Sequence, residues 1–129
     1  GQVHEIDLSE EGFLSFKKEK WDDKSVHYTC FVEITDKLSG ALKAGDVVRF
    51  KLNGKVMSNI GGIEGNLIDD SNDGWLGLCQ QLDHQGYAKG QTIDETWEFV
   101  ASLPAQKVNL FIYTADDKTK GPCLINFEE

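Results

Sequence analysis

The sequence lacks most of the signals that announce a function. Its 129 residues include two prolines, one methionine and three cysteines. No apolar run approaches the ~20 residues that a membrane-spanning helix needs. The three cysteines, Cys30, Cys79 and Cys123, are an odd number, so at most one disulfide can form. No Cys-x-x-Cys pair occurs, and His4, His27 and His84 have no mutual metal-ligand spacing. Nucleophile elbows, zinc-protease motifs and phosphate loops are missing as well. Residues 1–5 carry neither a basic start nor an apolar stretch of the signal-peptide kind, which fits a cytoplasmic protein or a mature or excised module. Basic residues are scarce: 13 Lys and Arg stand against 22 Asp and Glu, for a net charge of −9. Such a surface repels phosphate backbones and anionic lipid, so nucleic acid and membrane are not expected partners. Neutral or cationic ligands stay open, and the charge equally suits the solvated surface of a binding module.

What is present is alternation. Apolar residues make up 40% of the chain, enough for one core, and residues 1–129 read as a single domain without linker or repeat. Val26, Tyr28, Cys30, Val32 and Ile34 form one face of a strand, with His27, Thr29, Phe31 and Glu33 on the other. Val48, Phe50 and Leu52 alternate with Val47, Arg49, Lys51 and Asn53 in the same way. Val108, Leu110 and Ile112 oppose Asn109, Phe111 and Tyr113, and Leu76 and Leu78 oppose Trp75, Gly77, Cys79 and Gln81. Further strands are expected at residues 3–8, 13–17, 63–68, 93–100 and 123–127, and only residues 35–42 could hold a short helical turn. About eight short strands separated by turns predict an all-β fold, an antiparallel jelly-roll β-sandwich. The cysteines lie within these runs and are expected as buried thiols.

Trp75 is the leading candidate for ligand contact. With Leu76 and Leu78 in the core, its indole lies on the opposite face, Gly77 leaves room beside it, and Gln81 adds an amide. A flat ring stacks on the C–H face of a sugar while amides and acids bond its hydroxyls. The opposite parity would make Trp75 core. Asn109 and Tyr113 share the non-core face of their strand, and Tyr113 is preferred to Phe111 because its hydroxyl can bond. A second buried layer would explain the same residues. Trp21, in a charged loop, is either a platform at the rim or a lid over the core edge, and Trp97 with Phe99 reads as core. The run from Gln80 to Gln85, with Tyr87 close by, is a binding loop or a plain connection.

The order of a Gly-Asp46 turn, an alternating strand, Leu-Ile-Asp69, a polar turn and Trp75 resembles bacterial carbohydrate-binding modules of the β-sandwich type. The later segments at residues 95–100, 108–113 and 123–127 fit the last strands of such modules. The resemblance implies a secreted, non-catalytic module of a larger glycan-degrading enzyme. Its ligand would be a polysaccharide such as a plant cell-wall β-glucan or xylan. Residues 69–74 match the opening of a calcium loop, with oxygens at alternate positions and Gly74 sixth, but Gln80 stands where the bidentate acid belongs. A solvated β-turn explains them more simply. Modules of this type often hold a structural calcium ion, which makes Asp69 and Asp73 its candidate ligands here. The alternatives to a sugar-binding module are an extracellular protein-interaction or adhesion sandwich and a small enzyme. A groove lined by exposed aromatics favours the first, a flat apolar patch the second, and a deep pocket with a paired carboxylate or histidine the third.

Overall fold

The alternating segments become strands in the computed structural model, which describes residues 1–20, 26–69, 76–114 and 123–127. Ten strands run in chain order: β1 (Val3–Asp7), β2 (Phe13–Lys20), β3 (Val26–Glu33), β4 (Val47–Val56), β5 (Ile63–Asp69), β6 (Leu76–Gly77), β7 (Leu82–His84), β8 (Thr92–Val100), β9 (Val108–Thr114) and β10 (Cys123–Asn126). The helical content of the described residues is two 3-10 turns, Leu8–Glu11 and Thr35–Lys37. The first is capped by the Asp7 carboxylate, which accepts from the Ser9 amide at 2.9 Å, and is closed by Gly12 at φ 76°. The second is all that forms of the helical turn expected at residues 35–42.

The strands join in the order β1-β4-β10-β2-β3-β9-β5-β6, with β7 added to β5 and β8 to β4. The expectation of a wholly antiparallel sheet is corrected: β1 runs parallel to β4, with Val3 opposite Val47 and Asp7 opposite Lys51. Two strands intervene between them, and so long a connection lets the chain return in the same direction, which a hairpin cannot. The strand expected across residues 75–82 is also broken, into β6 and β7.

β2 belongs to both arms of the sheet. Residues 13–16 pair with β10, and residues 17–20 pair with β3. The sheet therefore curls about β2, and both arms turn one face to a shared core. Val48, Phe50 and Leu52 of β4 and Trp97 and Phe99 of β8 meet Leu67 of β5 and Leu110 and Ile112 of β9 in one cluster. Phe50 and Phe99 pack edge to face, 5.7 Å apart. The expected inward residues of β4 and β9 are buried, as are Cys30, Trp97 and Phe99, while Tyr28 and Val32 of β3 are partly buried and Thr29, Asn109 and Phe111 of the opposite face are covered as well.

Two polar joints tie the strands together. His4 is fully buried and donates from Nε2 to Asp46 Oδ2 at 3.0 Å, while the Ser39 amide donates to its Nδ1 at 3.0 Å. Asp46 also accepts from the amides of Lys43 (3.0 Å) and Gln2 (2.9 Å), which pins the chain start to the turn before β4. These bonds, the one from His4 foremost, hold the Asp46 carboxyl at about 2, below its ordinary 3.8. The second joint is a cluster of His84, Tyr87 and Glu95. The Tyr87 ring stacks on His84 at 4.5 Å and its hydroxyl donates to Glu95 Oε2, which also lies 3.3 Å from His84 Nε2. The Gly86 amide donates to His84 Nδ1 at 2.9 Å. Burial, and then Glu95, push the Tyr87 hydroxyl far above the ordinary tyrosine range.

Two outcomes follow for stability and reactivity. Because Asp46 has a depressed folded-state pKa, its contribution to stability is full above about pH 4 and is lost as pH falls toward 2. Urea midpoints measured from pH 6 to pH 2 should therefore fall less steeply below pH 4 in Asp46→Asn than in the parent, and equal slopes would contradict the assignment. Cys30 is buried, and burial lifts its thiol to about 11. Iodoacetamide at pH 8 followed by peptide mass spectrometry should label Cys30 only after unfolding. Labelling at the rate of an unfolded cysteine would refute its packing.

Candidate functional site

The face of β3, β9 and β5 turned away from the core is built rung by rung. Cys30, Ile112 and Gly65 stand opposite one another and point inward. A Cβ on Gly65 would come within 2.7 Å of Ile112 Cγ2, so glycine lets β5 lie close against β9 there. The next rung, Phe31, Phe111 and Asn66, therefore points outward. On one side of it lies the rung Thr29, Tyr113 and Glu64, and on the other Glu33, Asn109 and Ile68.

Three rings meet on this face. Phe31 and Phe111 stack at 4.5 Å and 25°, and Phe111 and Tyr113 at 5.1 Å and 21°. His27 meets Tyr113 edge-on at 6.1 Å. Phe111 is consequently only 5% exposed, whereas Phe31 is 47% exposed. The rings stand side by side, their faces largely used on one another, and the large apolar surface offered to solvent is that of Phe31.

Polar groups border the rings. Gln81 Nε2 donates to Tyr113 Oη at 2.6 Å and to Glu64 Oε2 at 2.9 Å, and Tyr113 Oη donates to the same Glu64 oxygen at 2.5 Å. Partial burial, and then the bond to Glu64, raise the Tyr113 hydroxyl above its ordinary pKa. Thr29 Oγ1 donates to Glu19 Oε2 at 3.0 Å. The Cys79 thiol donates to Asn66 Oδ1 at 2.9 Å, and a Cβ on Gly77 would stand 3.1 Å from Asn66 Nδ2, so Gly77 leaves that amide its space.

The structure thus brings two expected contacts, Gln81 and Tyr113, into direct contact with each other. Asn109 shares their face but is 8% exposed, so its amide is mostly covered rather than offered to a ligand. Trp75, Trp21 and Asp73 lie outside the described residues. Asp69 ends β5, opposite Val108 and Leu76. Among the described residues no group of three His, Cys, Asp or Glu side chains converges as a metal site. The polar run after Gln80 divides: Gln81 joins the outer face, while His84 and Tyr87 close the core edge against Glu95. Trp97 is core, as its alternation implied.

Phe31, Glu64 and Asn66 were not singled out by the sequence. The signal was there for Phe31, an aromatic in the polar register of His27 and Thr29. Glu64 and Asn66 alternate with Ile63, Gly65 and Leu67, but their importance depends on which strands lie beside β5.

No protein-family model matches this sequence, and no match is found among curated proteins. Among solved structures, a carbohydrate-binding module described as "CBM4 structure and function" aligns with a TM-score of 0.51. The alignment covers 89% of this chain and 89% of that one at 7% sequence identity, which is a likeness of fold.

Proposed function

We propose that this chain is a non-catalytic carbohydrate-binding module, a jelly-roll β-sandwich whose outer β3–β9–β5 face takes a polysaccharide. The observation that carries the reading is the juxtaposition of an exposed Phe31 ring with Asn66, Gln81 and Glu64 on one rigid sheet face. Sugars present apolar C–H faces and a rim of hydroxyls, and this face offers a ring with amides and a carboxylate beside it. Phe31, Glu64 and Asn66 stand on strands with buried reverse sides, and Gln81, in the connection before β7, is held by its bonds to Tyr113 and Glu64, so the groups are in place before a ligand arrives. The likeness of fold to a carbohydrate-binding module supports the same reading. Plant cell-wall β-glucan or xylan is the proposed ligand class, and a secreted bacterial glycan-degrading enzyme the proposed setting.

A protein-interaction sandwich has one observation in its favour, the row Val3, Val47 and Val100 on the outer side of the other arm. Val3 and Val100 are exposed, but three valines fall well short of the ~800 Å² per partner of a stable interface.

A glycan array followed by calorimetry tests the proposal. Phe31→Ala should weaken binding about tenfold or more, equivalent to about 1.4 kcal/mol, with a small change in melting temperature. Undiminished affinity in that variant would remove this face from consideration. Trp75, the residue before β6 in the sequence, is proposed as a second stacking ring. Trp75→Ala should abolish most glycan binding and leave stability nearly unchanged. A buried tryptophan would instead cost ~3–5 kcal/mol on truncation, so full binding with a large loss of stability would place Trp75 in the core.

A further inference from the structure

Hydrogen-bond accounting on the outer face points to the kind of glycan it accepts, given the binding reading above. A carboxamide nitrogen has two protons and a phenol has one. Both Gln81 protons are used, on Tyr113 Oη and Glu64 Oε2, and the Tyr113 proton is used on Glu64 Oε2. The donors of this three-residue network are directed at its own members. What the network still holds toward solvent is acceptors: the second carboxylate oxygen of the exposed Glu64 and the carbonyl oxygen of the exposed Gln81.

The surrounding charge has the same sense. Asp83 of β7 stands directly opposite Glu64, a like-charge cross-strand pair of the kind that is destabilising by itself. Glu19 and Glu33 lie on the β2 and β3 side, where Glu19 uses the Thr29 proton. Among the described residues, Lys17, opposite Thr29, is the cation aligned with these rungs, against the four carboxylates of Glu19, Glu33, Glu64 and Asp83.

We propose that Glu64 is a specificity-determining residue of this face: its carboxylate reads hydroxyl or ammonium donors on the ligand and rejects glycans that carry carboxylate or sulfate. A neutral sugar supplies hydroxyl protons to the waiting acceptors. A uronate or sulfate ester brings more acceptors and a like charge to a site whose donors are already committed, and like-charge juxtaposition is how interfaces suppress wrong partners.

The test is titration calorimetry of the intact chain with cellohexaose and xylohexaose, and with C6-carboxylated cellohexaose and hexagalacturonate. The parent should bind at least one neutral hexaose and bind the uronates at least tenfold more weakly at 20 mM salt. Glu64→Gln keeps an oxygen for the Tyr113 and Gln81 protons, removes the charge and adds two donors, so it should narrow that gap several-fold. A salt series on the parent makes the same measurement without a variant. The gap should shrink between 20 and 300 mM salt, because exclusion by charge is screened over about 10 Å at 0.1 M. Uronates bound as tightly as neutral hexaoses would overturn the proposal while leaving glycan binding intact. So would a gap unmoved by both Glu64→Gln and salt. Binding of none of the four probes, nor of any glycan on the array, would sink the binding reading itself and this proposal with it.

Discussion

The register of β9 between β3 and β5 is the constraint on which the rest depends. Each rung across these strands commits one set of side chains to the core and the next set to the outer face. Cys30, Ile112 and Gly65 go inward, and Phe31, Phe111 and Asn66 go outward. A slip of one residue would bury Tyr113 and expose Leu110 and Ile112, so the hydrophobic effect that forms the core also sets the composition of the outer face. The candidate site is the reverse side of the core, not a separate addition to it. That is why a close approach on the inner side, Gly65 against Ile112, matters to the spacing of Tyr113 and Glu64 on the outer one.

The outer face is also organised by what its groups do to one another. Stacking of Phe111 between Phe31 and Tyr113 uses ring surface that would otherwise meet a ligand, and leaves Phe31 as the open ring. The Gln81–Tyr113–Glu64 network fixes three polar side chains and uses up their protons. Preorganisation of this kind lowers the entropy lost on binding, and it narrows what the face can recognise. Aromatic content by itself would have suggested a broad stacking surface. Among the described residues of this face, the packed geometry gives one exposed ring, Phe31, beside a set of hydrogen-bond acceptors.

Away from that face, polar joints tie elements of the curled sheet together. The His4–Asp46 pair sits at the start of the chain, and its carboxylate is satisfied by two further backbone amides. The His84–Tyr87–Glu95 cluster links the segment after β7 to β8. In each, a buried or half-buried carboxylate is matched by donors, as burial of charge requires. The bonds of these histidines and acids are spent on holding strands.

Alternation was fully legible. Period-two patterns located most of the strands and sorted the inward and outward residues of β3, β4 and β9, because side-chain direction in a strand is a local property of the backbone. Scarce basic residues and missing catalytic motifs likewise shaped the functional expectation before any fold was known. The sequence alone determined that this is an all-β domain with one apolar core and an aromatic, amide-bearing second face. Only the tertiary structure decided that β1 lies parallel to β4, that residues 76–84 hold two short strands, and that Asn109 is covered while Phe31 is about half exposed. It also decided that Gln81 and Glu64 share the hydroxyl of Tyr113 across sequence separations of 32 and 49 residues. Such contacts depend on which strands become neighbours and in what register. That choice is made by the free energy of the whole packed sheet, which no local pattern along the chain encodes.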